Sequence, residues 1–115
     1  MLRAVGIPAG FCYQVLSKDP PYHGMEVHGL NSIFLSSVGR WIRLDARGNT
    51  GAIYAQFSLD QEQLAFPADP TRGEYTDETI YAEPLPVVVN CLLRFTTRSE
   101  MWPHLPESLD LPCPD

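Results

Sequence analysis

Two alternating runs joined by a glycine-bearing turn constrain this chain more than any other stretch. Residues 27–49 read VHGLNSIFLSSVGRWIRLDARGN. Period-two alternation over 27–35 predicts a strand with His28, Leu30, Ser32 and Phe34 on one face. Residues 36–40 supply the turn, and Gly39 can take the positive φ that a tight reversal needs. A second strand over 41–45 puts Trp41, Arg43 and Asp45 on one face and Ile42 and Leu44 on the other. A turn centred on Ser37 and Val38 sets Phe34 opposite Trp41, a favourable aromatic pair. Leu30 then falls opposite Asp45, with His28 diagonal to Asp45 on the same face. A slip of one residue would part them, because it turns every side chain of a strand to the other face.

An imidazole and a carboxylate on one face can do chemistry. His28 would act as general base and then general acid, while Asp45 fixes its tautomer and favours the imidazolium. Such a pair needs a Cys or Ser within hydrogen-bond reach of the other ring nitrogen. The same spacing also describes a structural histidine near a strand end and an aspartate that forms the turn before Ala46-Arg47-Gly48-Asn49. Spacing leaves both readings open.

The rest of the chain frames this hairpin. Residues 2–5, Leu-Arg-Ala-Val, have the character of a helix's last turn, with Gly6 as its left-handed C-terminal residue and Pro8 as a stop. That helix has almost no body, so the chain is expected to begin in the middle of an element. Residues 10–17 alternate as a strand, with Phe11, Tyr13 and Val15 on one face and Cys12, Gln14 and Leu16 on the other. The loop 18–24, KDPPYHG, is polar enough to edge a cleft. Residues 52–59, AIYAQFSL, read as a fourth strand and 63–66 as a short edge strand, followed by a polar loop over 69–79. Pro84 or Pro86 opens a helix whose apolar stripe of Val88, Cys91, Leu92 and Phe95 runs to about Arg98. Residues 99–105 read as a short helical turn. One domain over 1–105 is expected, then a flexible tail over 106–115 with Cys113 as an exposed bystander.

Composition removes several function classes. A net charge of -6 and eight scattered basic residues leave no basic surface to displace counterions, so no nucleic-acid partner is expected. No apolar run approaches the roughly 18–20 residues of a membrane span, and no membrane partner is expected. The N-terminus lacks a signal peptide's apolar region, which makes a cytoplasmic setting the expectation. Cys12, Cys91 and Cys113 form no paired motif and read as reduced thiols. His23, His28 and His104 show no metal-ligand spacing, so no metal and no cofactor is expected.

The ordered set of elements resembles a known family. Leu2-Arg3-Ala4-Val5-Gly6-Ile7-Pro8-Ala9-Gly10, then a strand, then His28, then Trp41-Ile42-Arg43-Leu44-Asp45, resembles the transglutaminase-like superfamily. Its members carry a helix ending in L-R-A-x-G-I-P-A, then a strand, a histidine heading the next strand, and an aspartate after a W-x-x-x-D strand. Ala55-Gln56-Phe57-Ser58-Leu59-Asp60 and Tyr81-Ala82-Glu83-Pro84 resemble segments of uncharacterised bacterial members, so the likeness covers nearly the whole chain. Two positions depart from the pattern. The family often has His-Ala-Trp and Asp-Pro, where this chain has His28-Gly29-Leu30 and Asp45-Ala46.

The resemblance implies an α+β fold: an antiparallel sheet of about four strands with a C-terminal helix, the strand half of a papain-like core. It implies that His28 and Asp45 are the histidine and aspartate of a Cys-His-Asp triad. The family's cysteine sits near the start of the helix that residues 1–5 would end, so it would precede Met1. Cys12 follows that helix and does not match the position. The implied activity is thiol acyl transfer on a peptide or protein amide, by hydrolysis or transamidation. The chain would then be an N-terminally truncated portion, inactive alone. A non-catalytic domain that holds a peptide or protein around His28, Tyr22 and Trp41 is the alternative. A sheet face without its covering helix would also favour homo-oligomers.

Overall fold

Turn geometry at residues 36–39 sets the register of the sheet. In the computed structural model, which describes residues 1–110, Gly39 takes a φ of 67°. Its N–H donates to the Leu35 carbonyl at 2.8 Å, closing the reversal. The flanking strands are β2, Met25–Leu35, and β3, Arg40–Leu44. They pair antiparallel with Phe34 opposite Trp41, Ile33 opposite Ile42 and Asn31 opposite Leu44. The expected register therefore holds. The Phe34 and Trp41 ring centroids lie 5.7 Å apart and are tilted by 58°, within the range of favourable aromatic pairs.

With β1, Ala9–Ser17, and β4, Tyr75–Thr76, the sheet is four-stranded in the order β3-β2-β1-β4. Two short helices follow, α1 over Pro86–Arg94 and α2 over Arg98–Met101. The architecture is α+β. The fourth strand is not the one expected. Residues 52–59 form no strand despite their alternation; only an isolated bridge joins Thr50 to Ile53. Residues 63–66 are likewise irregular. The true β4 comes from the stretch read as a polar loop, and it pairs Thr76 with Gln14 and Tyr75 with Val15. Six of the nine residues of β1 are buried, among them all of 12–16, so its hydrogen-bonding groups need a partner more than residues 52–59 need a strand.

Chain contacts divide into two compact units. The first holds Met1–Cys12, Gly29–Pro67 and Glu78–Ala82. Leu30, Ile33, Ile42, Ala55 and Ala65 are buried within it. Its N-terminal turn, Leu2–Val5, is a single 3-10 turn ended by Gly6 at φ 84°, as the Gly-x-Pro pattern implied. Arg3 ties that turn down, with Nε donating to the Ala9 carbonyl at 2.8 Å and Nη2 to the Ala82 carbonyl.

The second unit holds Tyr13–His28, Ala68–Asp77 and the chain from Glu83 onward. Pro86 occupies the first turn of α1, where a missing N–H costs nothing. The Leu85 N–H, just before the helix, donates to the Tyr13 hydroxyl at 3.0 Å. Cys91 is wholly buried on α1, in keeping with its place on the apolar stripe, whereas Leu92 faces out. The helix stops at Arg94, short of the expected Arg98, and Thr97 and Glu100 form a capping box that opens α2. Cys91 is disulfide-bonded, so the expectation of reduced thiols fails there; Cys12 keeps its thiol. Residue 106, where the tail was expected to begin, is buried, and its carbonyl accepts from the Val27 N–H at 3.0 Å. The Cys113 expectation lies outside the described residues.

Candidate functional site

His28 and Asp45 fall in different units, and each has its own setting. His28 is half-buried on β2, on the same face as Glu26 because side chains two apart on a strand point the same way. Asp45 directly follows β3 and is only 6% exposed. Its Oδ1 accepts the Arg47 N–H at 3.0 Å, an Asx-type turn, and its Oδ2 accepts the Ala65 N–H at 3.3 Å. The turn-forming role weighed for Asp45 is therefore present. It does not exhaust the carboxylate, since two oxygens offer about four lone-pair sites. Two backbone donors also hold the group in one orientation.

Sequence reasoning passed over two further polar centres. In the first unit, the Arg43 guanidinium clamps Glu62 through two hydrogen bonds, from Nε and, at 3.0 Å, from Nη2. Glu78 adds a contact at 3.6 Å. The Glu62 hydrogen bond raises the Arg43 pKa against the lowering by burial, and the charges of Glu62 and Glu78 add to the rise. Arg43, Glu62 and Glu78 line a small cavity of about 270 Å3 with Cys12 and Ser32. Alternation on β3 revealed Arg43, but Glu62 stands in an irregular segment with no pattern to reveal it.

In the second unit, Glu74 is 7% exposed and accepts three hydrogen bonds. Two come to Oε2 from the Ser17 N–H and hydroxyl, each at 2.8 Å, and one to Oε1 from the Asp69 N–H at 3.0 Å. Burial pushes this carboxyl up, but the Ser17 and Asp69 hydrogen bonds and the Arg72 charge outweigh it, so its pKa falls below the ordinary 4.5. One signal could have found the turn that presents Glu74. Asp69-Pro70-Thr71-Arg72-Gly73 reads as N-cap, first-turn proline and left-handed C-cap, and it forms a 3-10 turn with Asp69 capping Thr71.

Concave surface is present in both units. The first has a groove of about 660 Å3 lined by Arg3, Ile7, Trp41, Ile80 and Tyr81. The second has a larger cleft of about 880 Å3, between the 18–24 loop and α2, that includes Tyr22 and Trp102. Tyr22 and Trp41, expected around one cleft, thus line separate ones. Among the described residues no group of three or more His, Cys, Asp and Glu side chains is placed to hold a metal ion. No described helix is long and apolar enough to cross a membrane.

Comparison with known proteins adds no family. No family model matches the chain, and searches of curated proteins and of solved structures return no match.

Proposed function

We propose that this chain is the sheet portion of a transglutaminase-like thiol acyl-transfer enzyme acting on a peptide or protein amide. His28 is its general base and acid, Asp45 orients the imidazole, and the nucleophilic cysteine is supplied from outside these 115 residues. The observation that supports the reading is the β2–β3 register. Phe34 pairs with Trp41 and Asn31 with Leu44, so Asp45 is the next residue beyond the ladder and His28 stands three residues before Asn31 on β2. This is the register on which a shared face for the two side chains depends. The fixed, buried carboxylate of Asp45 adds support, because an orienting group must itself be held.

In the proposed reaction the thiolate attacks the amide carbonyl, and the imidazolium of His28 protonates the departing amine. Water or an incoming amine then gives its proton to His28 and resolves the thioester. The papain-like arrangement of helix and sheet belongs to this proposal, as does self-association through an uncovered sheet face. Size-exclusion chromatography showing a monomer at all concentrations would remove the latter. The deciding test of the enzyme reading is the gene upstream of Met1. An in-frame Gly-x-Cys opening a helical pattern is expected, and an in-frame stop codon there overturns it.

A further inference from the structure

We propose that the cleft of the second unit binds a segment of polypeptide in the polyproline II conformation that carries a basic residue. This is a recognition function separate from the acyl-transfer chemistry. Tyr22 is 63% exposed and Trp102 45% exposed, and Pro20 and Pro103 line the same cleft. Large aromatic rings held open to water between rigid proline edges are the surface on which polyproline helices dock, because their ridged, pre-stiffened backbone loses little entropy on binding. The Tyr22 ledge is itself held: the Lys18 N–H donates to the Gly24 carbonyl and the Tyr22 N–H to the Asp19 carbonyl, each at 3.0 Å. Gly24 has a φ of 92°, a conformation that residues with a Cβ rarely adopt, so the loop closes on a glycine.

The polar lining argues the same way. A polyproline helix makes no internal hydrogen bonds, so its carbonyls need donors. Tyr22, Ser99 and Trp102 line the cleft, and each carries a side-chain donor, a hydroxyl or an indole N–H. Its charges then select the flanking residue. Lys18 faces Glu107 at 4.0 Å and Asp19 faces Arg72 at 3.6 Å, so both have a counter-charge within the unit. The Arg98 guanidinium lies 5.0 Å over the Trp102 ring. Glu26 and His23 also line the cleft, and among the described residues no cation lies at ion-pairing distance from Glu26, which makes its carboxylate the acceptor for an arginine or lysine of the ligand. The chain's net charge of -6 favours the same sign of partner.

The test is calorimetric titration of the 115-residue chain with a synthetic polyproline peptide carrying arginine at one end. The same peptide with glutamate for arginine, and a chito-oligosaccharide, are the comparison ligands. Saturable binding of the arginine peptide is expected, stronger than that of the glutamate peptide. Tyr22→Ala, at an exposed position, should weaken it about tenfold with the circular dichroism spectrum unchanged. Glu26→Gln should remove the preference for arginine while leaving binding of the proline run. Absence of saturable peptide binding overturns the proposal. So does equal affinity for the two peptides, binding indifferent to both substitutions, or oligosaccharide binding at Tyr22 in place of peptide. The titration does not depend on the sequence upstream of Met1 that tests the acyl-transfer reading, so a failure of that reading and a failure of this one are told apart.

Discussion

Ser17 gives both of its hydrogen-bond donors to one oxygen of Glu74, the N–H and the hydroxyl each at 2.8 Å. A carboxylate in the loop before β4 is thereby fastened to the end of β1. Its other oxygen holds the Asp69 N–H, so one buried side chain fixes strand end, turn and loop together.

This centre makes acid sensitivity testable. Glu74 has a pKa below its ordinary 4.5, so its stabilising contribution is complete above that value and is lost as pH falls through the lower folded value. Glu74→Gln should cost about 1–3 kcal/mol at neutral pH, the range for hydrogen bonds to a charged group and buried donors left unpaired. The variant should also lose less stability than the parent between neutral and acid pH. Urea unfolding at a series of pH values checks both, and parallel pH profiles would remove Glu74 as the cause.

The Arg43–Glu62 pair should matter less despite its two-pronged geometry, because both side chains are partly exposed at 24% and 39%. Glu62→Gln is expected to cost about 0.5–1 kcal/mol at low salt, shrinking as salt is added. A double-mutant cycle with Arg43→Gln in low and high salt reads the coupling. A larger, salt-independent value would mean that the cavity beside it stays dry.

Gly10 tests packing. A Cβ at this position would run into Ile80 Cγ2 and lie 3.1 Å from the Tyr81 carbonyl oxygen. Gly10→Ala should therefore destabilise by about 1–3 kcal/mol, the usual cost of overpacking, although alanine has the better intrinsic propensity. Gly10→Ala combined with Ile80→Ala should recover part of that loss in thermal melts.

Asp45 separates structure from chemistry. Asp45→Asn keeps an oxygen for one of the two backbone donors and should cost about 1–2 kcal/mol of stability. If Asp45 orients His28, the same change in a form of the protein that carries the nucleophile should lower kcat by about 10^3–10^4-fold with KM little changed. A loss of activity in proportion to the folded fraction would make Asp45 a turn former alone.

At three places where neighbours in sequence are neighbours in space, the chain alone determined the outcome. Gly39 after an alternating run fixed the hairpin and set Phe34 opposite Trp41; Gly6 ended the first turn; Pro86 opened α1. Each depends on local backbone sterics and on a period that a few residues can display. Only the tertiary structure decided β4, a two-residue strand too short to show any period, whose pairing of Gln14 with Thr76 spans most of the chain. It also decided that 52–59 would not be a strand, since alternation is only a licence and β1 took its partner elsewhere. The anchoring of Asp45 by Ala65 and of Glu74 by Ser17 belongs to the same class. A buried carboxylate finds its donors wherever folding leaves unpaired N–H groups, and no spacing in the sequence announces where that will be.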